Sequence, residues 1–538
     1  MTNATPENDL ELQVENDHIL IDDGDRKESP PALPNTRPLL TGLHIANFKA
    51  FGVPAGGDGS FFIPLAPLTL LYGPNSAGKS TLLQALLVLA QSLIQPARQE
   101  WPRLVLNDNL IALGSTREVV HRHQTELTIS LGVSWRDAFG NETVAIYGFS
   151  GASGELESIE VLDPGEATTY VLQLPSTNNN QSDPEFLFEI SEETIDVFLR
   201  TILNSSKDIP DAGLAGTWAA ATAASIQPLV SVAGLCPGKI QGFRFPGGAW
   251  FPNGKDDSEP ESDVAMWLNS DSPWQCIDAS ERYAIRLKES LEHVLSDVRH
   301  LGPGRIPPDR RPVRHDDDGP DGVGRDGGRL FQFLASQREG NSVISGVNDA
   351  LSRLSSPYRI RQWNYPQATF NDDNDVSSLK RHRSRITLSE IALVRDGMES
   401  QLQNVGYGFN HLLPILAECS RDSRRPLLIE QPETHLHPDL QVDLIEELLH
   451  SATNPARKVL LPQLVVETHS ENMLLRIQAL VALQEERAED IQVITVGMDH
   501  ERYTAFPVDH QWTGDGELDP GADNVFPTAR IRAIEPEY

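Results

Sequence analysis

At 538 residues the chain is long enough to bury a large core, and two intimately connected lobes are expected. Its 77 acidic against 44 basic residues leave a formal net charge of −33. That balance argues against a protein that coats DNA with its general surface, because phosphate binding needs clustered Lys and Arg; a local basic groove stays open. The cysteines, Cys236, Cys276 and Cys419, lie far apart without C-x-x-C spacing, suggest neither disulfide framework nor zinc site, and fit a reducing compartment. No apolar run reaches the ~18 residues of a membrane helix and no secretory signal opens the chain, so a cytoplasmic protein without a membrane partner is expected.

Residues 1–38 are polar, acidic and closed by prolines, and read as a disordered leader. The first part of an α/β domain is expected over 39–164. Leu43 to Phe51 has the alternation of a strand, and Gly56 to Gly59 the composition of a hairpin tip. Leu68 to Tyr72 reads as a buried strand, followed by Gly73-Pro74-Asn75-Ser76-Ala77-Gly78-Lys79-Ser80 and then, from Thr81, an apolar helix. Strand, G-x-x-x-x-G-K-[ST] and helix in that order make a phosphate-binding loop. Gly73 and Gly78 let successive N–H groups converge on phosphate oxygens at a helix N-terminus. Lys79 is placed for the β/γ-phosphates and the Ser80 hydroxyl for Mg²⁺. The ligand is a nucleoside triphosphate.

Residues 126–131 and 143–147 read as strands. From 165 to 384 the pattern weakens, and a largely helical insertion is expected, with helices at 192–204, 213–224, 281–299, 329–339 and 341–354 and a Gly, Pro, Arg and Asp-rich loop over 302–328. Strong patterning returns over 385–510, with strands at 386–394, 426–430, 463–467 and 491–496 alternating with helices at 410–419, 440–449 and 471–483; a tail spans 511–538. Such alternation implies a mostly parallel sheet with helices on both faces.

A phosphate-loop enzyme also needs a carboxylate for Mg²⁺, commonly at the end of a second buried strand. Glu430 occupies that place, followed by Gln431-Pro432-Glu433-Thr434-His435-Leu436-His437-Pro438; alone such a residue is more often an ordinary strand end. The next buried strand closes on Glu467-Thr468-His469-Ser470, where a γ-phosphate sensor is expected at His469. His435, His437 and His469 lack the Cys or Asp companions of a zinc site.

Gly73 to Ser80, Leu427 to Pro438 and Thr468-His469-Ser470 together resemble the ABC-type ATPase heads of the SMC, RecF and OLD group, as does the opening Leu43 to Phe51. More closely, Ile429 to Pro438 with Glu467 to Glu471 is similar to AAA-type ATPases with a DUF3696-like C-terminal segment, supported by Leu301-Gly302-Pro303-Gly304-Arg305 and Val323 to Gly327. The resemblance implies ATP and Mg²⁺ as cofactors and a homodimer with ATP sandwiched between two heads. Each head would present to the other a signature at a helix N-terminus, here Gly406-Tyr407-Gly408-Phe409-Asn410-His411. Gly408 and Asn410 would touch the neighbour's nucleotide, Asn410 standing where the family carries Ser. The family's catalytic Glu is replaced by Gln431, which cannot act as a base although it can position water; Glu433 is the other residue within reach. Slow hydrolysis follows as an expectation, with Glu430 on Mg²⁺, Gln431 or Glu433 near the water and His469 at the γ-phosphate.

The resemblance further implies a nucleotide switch that engages DNA or an effector protein encoded nearby, in genome maintenance or anti-phage defence. Two basic clusters suit a nucleic-acid groove: Arg305, Arg310, Arg311 and Arg314, and Lys380, Arg381, His382, Arg383 and Arg385. Acidic neighbours make a salt-bridged loop the more frequent arrangement for each cluster alone, and Trp363 and Tyr365 could stack bases or pack in a core. The alternative, an OLD-type nuclease, is disfavoured because the residues after His469 lack the paired Asp-x-Asp of a two-metal phosphodiesterase.

Overall fold

The structure, a computed structural model, describes residues 39–55, 59–93, 102–136, 140–163, 168–173, 187–190, 227–233, 235–244, 250–252, 272–307, 313–314, 321–337, 342–369, 380–401, 406–421, 425–454, 461–483, 487–513 and 516–519. The leader at 1–38 and the helices read at 192–204 and 213–224 lie outside them.

In chain order, β1 (Leu39–Ala46), β2 (Phe61–Pro64) and β3 (Leu68–Tyr72) lead into α1 (Lys79–Leu93). A run of strands follows: β4 (Thr128–Arg136), β5 (Glu142–Ser150), β6 (Leu156–Asp163), β7 (Thr168–Gln173), β8 (Leu187–Ile190), β9 (Gln227–Ala233), β10 (Cys236–Arg244) and β11 (Trp250–Pro252). Next come α2 (Ser272–Leu295), β12 (Arg299–Leu301), β13 (Val313–Arg314), α3 (Leu330–Ser336), α4 (Ser342–Arg353), β14 (Arg359–Thr369), β15 (Lys380–Arg395) and β16 (Met398–Gln401). The last part holds α5 (Tyr407–Cys419), β17 (Pro426–Glu430), α6 (Pro438–Thr453), β18 (Gln463–Glu467), α7 (Glu471–Ala482), β19 (Ile491–Asp499), β20 (Thr504–Trp512) and β21 (Leu518–Asp519).

One sheet has the order β12-β17-β18-β3-β19-β20-β21. Its first five strands are parallel and the last two antiparallel. Leu68–Tyr72 and Gln463–Glu467 are buried at every position, as central parallel strands covered on both faces must be. A second sheet, β11-β10-β9-β8-β7-β6-β5-β4-β1-β2, is antiparallel throughout. The fold is therefore mixed α/β, and the expectation of one mostly parallel sheet is corrected by this larger antiparallel one.

Of the largely helical insertion expected over 165–384, the described residues hold both kinds of element: strands from 168 to 252 that extend the sheet begun by β4 to β6, and the helices Ser272–Leu295, Leu330–Ser336 and Ser342–Arg353 after them. The helix read at 281–299 runs Ser272–Leu295, and Arg299 belongs to β12.

Helix α1 is buried nearly all round. It shares a core with Leu131, Val133, Trp135 and Phe149 of the antiparallel sheet and Leu428, Val465 and Ile494 of the parallel one. The opposite face of the parallel sheet (Leu68, Leu70, Ile429, Val466) packs with Leu412 and Leu416 of α5, Leu444 and Leu448 of α6, and Leu474 and Ile477 of α7. The phosphate-loop helix is thus held between two sheets. No helix among the described residues is long and apolar enough to cross a membrane.

Candidate active site

The phosphate loop joins β3 to α1, and its shape explains its residue types. Gly73 has φ +136°, and a Cβ there would meet the Val496 carbonyl oxygen at 2.3 Å. Gly78 has φ +108° and lies against Ala50 and Ala505, while Ser76 takes φ +63°. Both glycines answer a backbone requirement. Pro74, Asn75 and Ser76 are exposed at the tip, whereas Ala77 and Thr81 are buried. Lys79 Nζ donates to the Gly73 and Pro74 carbonyls at 3.0 and 2.8 Å, so the ammonium lies folded over its own loop.

Strands β17 and β18 are parallel and in register, with Glu430 opposite Glu467, and β18 pairs with β3. This order brings Glu467 beside the loop and Glu430 one strand further out at the same edge. Ser80 Oγ donates to Glu467 Oε2 at 2.7 Å, and Glu430 Oε1 lies 2.6 Å from His300 Nε2. Arg305, only 2% exposed, donates from Nη2 to the Glu430 carbonyl at 2.8 Å.

Gln431 has φ +45°, a strained value for a residue with a side chain. Its N–H is held by the Glu467 carbonyl at 2.7 Å, and its own carbonyl accepts from Arg305 Nη1 at 3.4 Å. The Gln431 side-chain amide makes no hydrogen bond to another described residue. Glu433 accepts from Thr468 Oγ1 at 2.8 Å and the His469 N–H at 2.7 Å. It thereby ties the turn after β17 to the turn after β18. Ser470 caps α7, accepting from the Met473 N–H at 3.2 Å.

Acidic charge exceeds basic charge at this point. Burial raises the Glu467 carboxyl above its ordinary range, and Glu430 and Glu433 add to it against the opposing Ser80 bond and Lys79. Burial lowers the Lys79 ammonium, opposed by Glu467 and Glu433. Burial and then Lys79 lower His469, opposed by Glu433, which favours the neutral ring. A hydroxyl and two carboxylates around excess negative charge suit a hard divalent cation. Ser80, Glu430 and Glu467 are the residues that would hold Mg²⁺, together with the nucleotide's phosphates. Among the described residues no set of three or more His, Cys, Asp and Glu is arranged to hold a metal unaided. This also gives the His435, His437 and His469 zinc reading no support.

Gly406 is the exposed N-cap of α5, so the signature segment forms the helix's first turns. A Cβ on Gly408 would meet the His435 carbonyl oxygen at 2.7 Å, so this helix packs directly on the turn that follows Glu430. Asn410 and His411 are only 4% and 3% exposed. In the single chain the Asn410 side chain is therefore buried, and Gly406 carries the accessible backbone of the segment.

Arg305 leaves the nucleic-acid cluster, because it is buried against Glu430 and Gln431. Arg310 and Arg311 lie outside the described residues, as do the side chains of Arg314, Tyr365 and the 380–385 cluster. Trp363 is 40% exposed with the Arg361 guanidinium 5.5 Å from its ring centre.

Glu467, His300 and Arg305 in its buried role were missed as site residues. Two strands ending in Glu, each followed by a turn, were the available signal for the first; sheet order supplied the rest.

Two family models match parts of the chain: "AAA domain, putative AbiEii toxin, Type IV TA system" over residues 68–211, and "AAA ATPase domain" over 332–474. The first includes the phosphate loop and the second Glu430 and His469. No curated protein matches the sequence.

Among solved structures, the Smc head domain with a coiled coil and joint from Pyrococcus yayanosii is similar at 9% identity, covering 92% of this chain and 100% of that one, with a TM-score of 0.39. The Smc head domain with an extended coiled coil bound to the C-terminal domain of ScpA, from Pyrococcus furiosus, is similar at 11% identity, with 88% and 96% covered and a TM-score of 0.35. The SMC head domain from Thermotoga maritima is similar at 9% identity, with 87% and 98% covered and a TM-score of 0.34. With AAA ATPase sequence matched around both halves of its phosphate site, the chain is an ATPase.

Proposed function

We propose that the chain is a slow, Mg²⁺-dependent ATP switch of the SMC, RecF and OLD kind, close to ATPases with a DUF3696-like segment. Two copies close over ATP, and closure controls engagement of DNA or an effector protein, in prokaryotic genome maintenance or anti-phage defence within the cytoplasm. The observation that carries the slow-switch reading is the occupation of the strand end. Gln431 stands where a base would, and Glu433 is already bonded to Thr468 and His469. Water is positioned by the Gln431 amide rather than deprotonated by a carboxylate, while Lys79 and the loop N–H groups bind phosphate and neutral His469 donates toward it. The accessible N-terminus of α5, beginning at Gly406, supplies the surface a second copy presents to the nucleotide.

The test is ATP turnover and ATP-dependent dimerisation, read by light scattering, for wild type, Lys79→Ala and Glu430→Gln. Wild-type turnover is expected well below the ~10 s⁻¹ typical of enzymes. Lys79→Ala is expected to lose nucleotide binding, and Glu430→Gln to keep binding while losing hydrolysis. Fast turnover that survives replacement of both Gln431 and Glu433, or ATP that changes neither oligomeric state nor partner affinity, overturns the reading.

A further inference from the structure

We propose that Glu467, in addition to Glu430, sets the divalent-cation site, holding the Ser80 hydroxyl in the orientation that presents its lone pairs to the ion. This deepens the Mg²⁺-switch reading and rests on it.

Three observations meet at this residue. First, β17 and β18 pair in register with Glu430 opposite Glu467, so the two carboxylates leave the sheet at one level. Second, Ser80 Oγ donates to Glu467 Oε2 at 2.7 Å. A hydroxyl has one proton and two lone pairs. With its proton committed to Glu467, both lone pairs are left for a cation, and the rotor is fixed before the cation arrives. Third, Glu467 is 4% exposed, and the charges acting on it are Lys79, Glu430 and Glu433. The opposing ammonium is spent on the Gly73 and Pro74 carbonyls. A carboxylate kept in such company is stabilised by a divalent ion.

The chemistry also accounts for the departure at Gln431. A site with Gln there has one acid fewer at the end of β17, and Glu467 restores a second carboxylate from the neighbouring strand. It does so on the side of Ser80, where it serves the cation; the place of the attacking water stays with Gln431.

The test uses Glu467→Gln and Glu467→Ala in the full chain, with a fluorescent ATP analogue titrated at a series of Mg²⁺ concentrations and in EDTA. The Gln variant is isosteric and its carbonyl still accepts from Ser80, so it removes charge alone; the Ala variant removes charge and orientation. The Mg²⁺ needed for half-maximal nucleotide binding is expected to rise about tenfold in Glu467→Gln and further in Glu467→Ala, the range typical for a group that orients a metal ligand. Affinity in EDTA is expected to stay at the wild-type value.

Ser80→Ala should be non-additive with Glu467→Ala, because one acts through the other. Wild-type Mg²⁺ dependence in Glu467→Gln, or equal loss with and without Mg²⁺, overturns the proposal while leaving the switch reading intact. Nucleotide binding by wild type that ignores Mg²⁺ altogether sinks both.

Discussion

Of the three sheets among the described residues, the parallel one and the larger antiparallel one share a core around α1, yet the candidate site lies on only one of them. In the parallel sheet β3, β17 and β18 all finish at the same edge, and that edge collects the phosphate loop, Glu430, Glu467 and His469. In the antiparallel sheet successive strands finish at opposite edges, so strand-end residues are dispersed and no comparable cluster can form. Its contribution is mechanical: with α1 it forms the core that fixes the phosphate-loop helix from behind.

Replacing a core residue of the antiparallel sheet is the largest expected stability effect. Trp135 is fully buried and donates from Nε1 to Ser290 Oγ of α2 at 3.1 Å. Trp135→Ala is expected to cost about 3–5 kcal/mol in denaturant unfolding. ATP affinity of the folded fraction should stay within about twofold of wild type, since the Trp135 hydrogen bond goes to α2 and not to the phosphate loop. A variant that keeps its stability and loses nucleotide affinity would collapse the division between a mechanical and a chemical sheet.

Sequence legibility followed the same division. Strand β3, the loop and α1 are consecutive, so local pattern alone placed Lys79 and Ser80. Glu430 was found because β17 is a short apolar run with an acid at its end. Glu467 stood in a quoted motif yet took no role, because its meaning depends on β18 lying between β17 and β3, a fact of sheet order that no local pattern contains.

Strands such as β7, Thr-Thr-Tyr-Val-Leu-Gln, are too short for a period-2 signal to outweigh their polar residues, and their stability comes from neighbours on either side. Arg305 was read as surface because charged residues rarely lie inside. Its burial became evident only when Glu430 and Gln431 offered their carbonyls.

A smaller effect tests how closely the signature helix is joined to the chemical sheet. Gly408→Ala forces a Cβ toward the His435 carbonyl, whereas nothing lies within 4 Å of a Cβ at Gly406. The first is expected to cost about 1–3 kcal/mol and to lower ATP turnover by shifting the turn that carries Gln431. Gly406→Ala is expected to change stability by less than about 1 kcal/mol. Equal stability and equal turnover in both variants would show that helix and turn move independently.

The smallest expected effect separates the sheets by pH. His411 on α5 and His44 on β1 are each lowered to about 4, His411 by burial, then Arg305 and His435, and His44 by burial alone. A folded pKa below the ordinary 6.5 means that the native state resists protonation. The stability each ring contributes is therefore complete above 6.5 and is lost as pH falls toward 4. His411 is 3% exposed, with its ring centre 5.0 Å from that of His435, so its protonation below pH 6.5 is resisted by the packing around the turn after Glu430. His44 lies 2.9 Å from Ser134 Oγ on the antiparallel sheet, away from that turn.

His411→Gln and His44→Gln should each flatten the fall in melting temperature between pH 7 and 5. Only His411→Gln should also change the pH dependence of ATP turnover, because its neighbours Arg305 and His435 hold the turn after Glu430. If His44→Gln alters that turnover profile as strongly, the antiparallel sheet takes part in the chemistry and the separation drawn from strand direction fails.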